Sequence, residues 1–273
     1  MNGKELKSAL RAGKHVYGTA ILSPSSIWPK AVASIGLDFV FIDTEHTPLN
    51  RETVSNMCQV YNALDLAPLV RIPSPDPYEA SMAIDGGAAG IIAPYIETNE
   101  QVNELVGAVK YKPIKGKKLQ NRSKENSQLG TQLSAYLEEN NSSTVLILNI
   151  ESVPAIEALD EILAVNEVDA VLIGPHDLSC SLGIPEQYDH PLFKESVNTI
   201  LKKARNKSVG AGIHIFYTSG FQQEKQWAKE EANLIVHSSD ILAFKNTLQR
   251  EFFDIKEFLE QSPQGTENET LKI

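Results

Sequence analysis

The sequence predicts an α/β fold, a single (β/α)8 TIM barrel, and three observations carry that reading. Short apolar, β-branched runs alternate with amphipathic stretches almost throughout, the pattern of a parallel sheet covered by helices. The runs number about eight, the strand count of that barrel. The length of 273 residues suits a class in which about 250 residues form one domain. The barrel is expected to occupy residues 1–261, with a lid-like insertion at 111–143 and a flexible C-terminal tail at 262–273.

The predicted strands are 15–21, 39–43, 68–72, 90–94, 145–151, 170–174, 209–215 and 233–237, each apolar and rich in Val, Ile, Leu or Phe. Predicted helices follow them at 26–35, 51–61, 78–84, 100–109, 153–165, 191–205, 221–229 and 241–259. The stretch 111–143 is polar, with many lysines and asparagines, and holds one further helix near 128–139. Long connections of this kind act as lids or subunit contacts. The tail has little to bury and is expected to be mobile.

Composition narrows the function. Hydrophobic residues make up 42% and charged residues 22%, the balance of an ordinary globular domain. A net charge of -10 disfavours nucleic acid and anionic membrane surfaces, so neither is an expected partner. An anionic small substrate remains open, because a bound cation and one arginine reverse the local field in a cleft. The two cysteines, Cys58 and Cys180, form no CxxC pair and are expected as buried thiols. Residues 1–14 lack the apolar core of a signal peptide, and no segment approaches the roughly 20 apolar residues of a membrane span, so a cytoplasmic location is expected.

Barrel enzymes carry their active sites at the C-terminal strand ends. There, 39–42 runs into Asp43, Thr44, Glu45 and His46; 69–70 into Arg71; 146–148 into Asn149 and Glu151; and 171–173 into Gly174, Pro175, His176 and Asp177. Each has a plain alternative. Asp177 could cap a turn, Glu151 could answer a helix dipole, and Arg71 could be a buried ion-pair partner. Together they place several carboxylates at one mouth, where they repel unless a cation or protons neutralise them. An all-oxygen donor set without HxxxH or HExxH spacing favours Mg2+ or Mn2+, with Co2+ also open, and Glu151 and Asp177 are the preferred ligands. No GxxxxGK[ST], strand-following GxGxxG or GxSxG motif is present. The glycine-rich 86–90 precedes a strand and reads as a tight turn, with Asp85 as a helix-end residue.

The segments 36–46 (GLDFVFIDTEH), 69–71 (LVR), 90–94 (GIIAP), 149–151 (NIE) and 173–179 (IGPHDLS) resemble, in order and spacing, those of the HpcH/HpaI aldolases, metal-dependent class II pyruvate aldolases. The resemblance implies that Glu151 and Asp177 hold the cation, with Asp43 and Glu45 one layer behind. Arg71 would face the substrate oxyanion. His46 would move the aldol hydroxyl proton and Asp85 would orient it. Backbone N–H groups of His176 and Asp177 would receive the substrate carboxylate, and Asn149 would reach the pyruvoyl group. It also implies a homo-oligomer, a hexamer in the family pattern.

This chain departs from that pattern at four places. Asn149 stands where Gln is common, and Lys117 and Lys118 where an Arg-Gly pair is common; Ser239 precedes Asp240 in place of glycine, and His176 replaces a small residue. The expected reaction is cleavage or formation of a 4-hydroxy-2-oxo acid from pyruvate and an aldehyde. The alternatives are a 2-oxo-acid-binding barrel without catalysis and a related lyase acting on an acyl-CoA or a phosphoenolpyruvate-type substrate.

Overall fold

In the computed structural model, which describes residues 1–119 and 130–259, eight parallel strands pair in sequence order and close into a barrel, β8 against β1. The strands are β1 (Val16–Ile21), β2 (Phe39–Asp43), β3 (Ala67–Arg71), β4 (Gly90–Ala93), β5 (Val145–Asn149), β6 (Ala170–Ile173), β7 (Gly210–Ile215) and β8 (Leu234–Ser239). Helices lie outside: α1 (Gly3–Arg11), α2 (Trp28–Ala33), α3 (Arg51–Ala63), α4 (Pro77–Asp85), α5 (Asn99–Lys110), α6 (Thr131–Asn141), α7 (Val153–Glu157), α8 (Leu159–Ile162), α9 (Pro175–Ser181), α10 (Pro191–Asn206), α11 (Phe221–Glu230) and α12 (Asp240–Phe258).

Strand alternation divides the apolar side chains into two cores. Val40, Ile42, Val70, Leu146 and Leu148 point outward and pack under the helices, while Phe39, Phe41, Leu69, Ile147 and Leu172 fill the lumen. Polar residues take over where strands β2, β3 and β5 end, at Asp43, Arg71 and Asn149, and all three are buried. The other end of the lumen is plugged by α1, which the sequence reading passes over. Asn2 caps it, Leu6 and Leu10 are fully buried against the lumen cluster, and Arg11 binds Asp169 at 3.0 Å. The mouth at the C-terminal strand ends is thereby the open end of the barrel.

Three expectations are corrected. The single helix expected at 153–165 is two short helices, α7 and α8, meeting at Ala158. The strand expected to reach residue 151 stops at Asn149, leaving Glu151 on the loop beyond. Cys58 is buried and its thiol is pushed up to about 12 by loss of water, but Cys180 is exposed, because α9 turns Leu178 and Ser179 inward and Cys180 out.

The insertion is tied down at the end of the barrel opposite the mouth. Lys110 reaches Asp169 and the Thr144 carbonyl, Tyr111 reaches Glu167, and Asn141 donates to the Lys112 carbonyl at 2.8 Å. Its described parts lie against α4 and α5, with Lys115 over the Tyr78 ring and Leu119 against Gly107. Residues 120–129, and the tail at 262–273, lie outside the described residues.

One join in the barrel differs from the rest. Strands β2 to β7 are buried at every position, but β1 exposes Tyr17 and β8 exposes His237. The helix that would cover this join, α12, buries only Asp240 and Leu242, and every residue from Gln249 to Leu259 is exposed. Among these are Phe252, Phe253, Ile255 and Phe258, the last 86% exposed.

Candidate metal and catalytic site

The mouth is organised around Arg71. Its Nε and Nη2 donate to the two oxygens of Asp43 at 2.8 and 2.7 Å, a two-pronged grip from β3 to the neighbouring β2. Its Nη1 lies 3.1 Å from Glu45 Oε2, close enough to pair as ions though without hydrogen-bond alignment. The guanidinium also sits over the Phe41 ring, 5.3 Å from its centroid. Burial alone would raise the Asp43 carboxyl, but the Arg71 hydrogen bonds and charge outweigh it and hold the group below the usual carboxylate range. Glu45 goes the other way: burial raises it beyond what Arg71 and His46 offset, and the Asp43 and Asp177 charges add to the rise.

His46 follows on the same loop, with Nε2 3.8 Å from Glu45 Oε2 and its side chain 43% exposed toward solvent. Asp85 does not join it within the subunit. It ends α4, away from the mouth, is 64% exposed, and pairs with Lys112. The carboxylate beside His46 in this chain is Glu45.

Across the mouth, Glu151 is buried on the loop after β5. Its Oε1 accepts the Tyr95 backbone N–H at 2.7 Å and its Oε2 accepts the Asn149 side-chain amide at 3.1 Å. Tyr95 reaches it from a left-handed backbone, φ 51°, a conformation that costs about 1–2 kcal/mol for a non-glycine residue. Burial, with the Asp177 and Glu45 charges adding and the Tyr95 N–H opposing, pushes the Glu151 carboxyl up to about 7. Gly174, which opens α9, has to be glycine on grounds of space, since a Cβ there would collide with Glu151 Oε2. Two residues on, Asp177 is half-buried and electrostatically coupled to Glu151, Glu45 and Tyr95.

The structure thus brings Asp43, Glu45, His46, Arg71, Asn149, Glu151 and Asp177 to one mouth. His176 lies at its edge, its ring turned outward with Nδ1 3.7 Å from Glu186. Its backbone N–H and that of Asp177 fall in the first turn of α9, where no helical carbonyl precedes them. Lys117 and Lys118 stand exposed on the described part of the insertion, in the segment that lies beside α4 and α5. Ser239 caps α12, and the Asp240 carboxylate accepts the Ser23 backbone N–H at 2.9 Å, so this late aspartate fastens β8 to the loop after β1.

Two participants escape a reading of the sequence. The Tyr95 N–H depends on a backbone angle with no residue-type signature. His214 faces the lumen from β7, fully buried at both ring nitrogens, beside Phe41 and Phe216 at 6.3 and 4.7 Å between ring centroids. Its signal was the placement of an imidazole at an inward position of an otherwise apolar strand.

The donor set fits a hard cation. Among the described residues no three His, Cys, Asp or Glu side chains form a closed metal cage. What the mouth holds is a buried carboxylate, Glu151, whose burial favours the protonated form, with the charge of a second carboxylate, Asp177, adding to the effect. Two oxygen donors with the remaining positions left to water or substrate suit Mg2+ or Mn2+. Among the described residues no helix is long and apolar enough to cross a membrane.

Comparison with known proteins agrees with this geometry. The profile of the family described as HpcH/HpaI aldolase/citrate lyase matches residues 22–246. A 2-keto-3-deoxy-L-rhamnonate aldolase of Escherichia coli (strain K12) is 28% identical over 244 residues, covering 89% of this chain and 90% of that protein. Among solved structures, an HpcH/HpaI aldolase from Desulfitobacterium hafniense DCB-2 superposes with a TM-score of 0.77 at 28% identity, over 96% of this chain and 99% of that one. The citrate synthase SbnG superposes equally well, TM-score 0.77 at 27% identity, over 93% and 98% of the two chains.

Proposed function

We propose, from the premise that the chain belongs to the HpcH/HpaI aldolase/citrate lyase family, that it is a divalent-metal-dependent aldolase joining pyruvate to an aldehyde and cleaving the resulting 4-hydroxy-2-oxo acid. The observation that supports this best is the buried Glu151 beside the half-buried Asp177, facing an arginine immobilised by Asp43. Glu151 and Asp177 would hold the cation, Mg2+ or Mn2+ with Co2+ as a substitute. The cation supplies Lewis-acid polarisation of the 2-oxo acid.

The chain's own residues supply the rest. A guanidinium has five N–H donors; two are engaged by Asp43, and Nη1 pairs with Glu45 by charge alone, leaving the other donors for the oxygen that becomes negative as the enolate forms. Because Arg71 is locked before substrate arrives, little reorganisation is needed at that moment. In cleavage, His46 takes the proton of the C4 hydroxyl, the C3–C4 bond breaks, and the electron pair passes into the enolate; in addition, His46 returns the proton. Glu45 holds the imidazole in place. The first-turn N–H groups of His176 and Asp177 would receive the substrate carboxylate, and Asn149, whose Oδ1 is buried without a partner, would meet a hydroxyl or water at the pyruvoyl end.

EDTA should abolish aldol addition of pyruvate to a short aldehyde, and Mg2+, Mn2+ or Co2+ should restore it. Glu151→Ala should lose calorimetric metal binding, whereas His46→Ala should keep it and lose turnover. Full activity without metal, or borohydride trapping of pyruvate on a lysine, would point to a Schiff-base enzyme instead.

The expected homo-oligomer has a physical basis in the open join. A helix whose last turns hold Phe252, Phe253, Ile255 and Phe258 in water, and a barrel join that its own helix leaves uncovered, are complementary needs. A second copy donating its α12 answers both, in a closed arrangement where each chain gives and receives.

A further inference from the structure

We infer that His214, on β7, determines which donor 2-oxo acid this site prefers, favouring a hydroxyl over a methyl substituent on C3. The inference rests on the aldolase reading above and specifies its donor substrate.

Strand β7 presents Gly210, Gly212 and His214 to the lumen, while Ala211, Ile213 and Ile215 face the helices. The two glycines are as small as they are because a Cβ at Gly210 would press on Leu10 and one at Gly212 on the Leu234 backbone. His214 is therefore the first side chain of any length on this wall, and it stands level with the floor of the mouth. Its ring lies beside Phe41, the same ring that carries the Arg71 guanidinium. Burial first, and then the Arg71 charge, hold the imidazole down to about 3, so it stays neutral: one N–H donor and one bare acceptor nitrogen. Neither nitrogen has a partner, and both are buried. Buried donors and acceptors are nearly always satisfied, so an imidazole with two open valences beside an anion-binding arginine calls for a ligand atom. The residue keeps 8% of its surface accessible, and a half-turn about its Cβ–Cγ bond exchanges ring nitrogens with ring carbons.

Pyruvate has nothing to offer this group. Its carboxylate and keto oxygens would be answered by the cation that Glu151 and Asp177 hold, by the start of α9 and by Arg71, and the aldehyde would enter from the solvent side, where His46 is exposed. What remains to face the lumen is C3, a methyl in pyruvate. A C3 hydroxyl, donor and acceptor at once, matches a neutral imidazole, and the unpartnered Asn149 Oδ1 offers a second acceptor in the same buried layer. A site with open hydrogen-bonding groups rejects an isostere that leaves them unpaired.

The test compares 3-hydroxypyruvate with 2-oxobutyrate, which replaces the hydroxyl by a methyl of similar size, and with pyruvate as reference. With Mn2+-loaded protein and glycolaldehyde as acceptor, kcat/KM for 3-hydroxypyruvate should exceed that for 2-oxobutyrate by roughly ten-fold or more. His214→Leu should erase or invert that ratio while pyruvate turnover persists, and His214→Gln should recover part of it. Independently of turnover, 3-hydroxypyruvate but not 2-oxobutyrate should shift the ring 15N resonances of His214 in the Mg2+-loaded protein. The wild-type ratio decides the matter even if the leucine variant does not fold. Turnover of pyruvate with no preference for the hydroxylated donor overturns the inference and leaves the aldolase reading standing; no turnover of any 2-oxo acid overturns both.

Discussion

Arg71 and Asp43 form a buried pair in which each charge exists by virtue of the other. Removing one partner leaves an uncompensated charge, so Arg71→Ala should destabilise the fold by about 3–5 kcal/mol in urea unfolding. The same change should raise the Asp43 carboxyl, since burial would then be opposed by the Glu45 backbone N–H and the His46 charge alone. Glu151 gives a pH prediction of opposite sign. With its carboxyl near 7 in the metal-free protein and 4.5 as its ordinary value, the group is mostly protonated below 7 and a cation must displace that proton. Metal affinity measured by calorimetry should fall about tenfold per pH unit below 7. Without metal, the raised value means the folded state holds a proton the unfolded chain releases, so stability should decline as pH rises from 4.5 to 7. At this scale the sequence was informative where function is compressed: Asp43, Glu45 and His46 occupy one strand end, and Arg71 closes the next strand. Asp85 shows the converse, because its neighbour Lys112 belongs to a different stretch of chain and no local pattern couples the two.

At the scale of elements, α9 and α11 make the testable claims. Gly174→Ala should fold, since the position has ordinary φ and ψ, yet displace Glu151 Oε2 and weaken metal binding at least tenfold by calorimetry. Helix α11 is held to β8 by Glu224 and His237, 2.6 Å apart, and hydrogen bonding to Glu224 holds the imidazole above its usual value. That contribution should be present below about 6.5, the unfolded value, and fade as pH rises through the raised folded value. The difference in Tm between wild type and His237→Gln should therefore shrink with increasing pH. The strands were legible because burial on both faces demands continuous apolar runs, and six of the eight are buried at every position. Helix α1 was missed because its two fully buried leucines, Leu6 and Leu10, make a sparse apolar stripe that gains meaning only once a lumen exists to receive it. The division of α7 from α8 was hidden because helical periodicity survives a one-residue break.

For the molecule as a whole, the barrel order was readable from alternation alone, but the open join between β8 and β1 was not, because α12 carries the same amphipathic pattern whether it covers its own barrel or another. Phe252→Asp and Phe258→Asp distinguish the two. Both residues are exposed in the single chain, so in a monomer each change should alter stability by no more than about 0.5 kcal/mol. If copies exchange α12, the same changes should split the oligomer in size-exclusion chromatography and lower Tm by several degrees.

If copies exchange α12, the last stave of each barrel is borrowed and stability is set by mass action. Each chain's midpoint of unfolding should climb with protein concentration and sag on dilution, since the join between Tyr17 and His237 meets water whenever the lender departs. Activity assays run at nanomolar protein would then report on association as much as on chemistry.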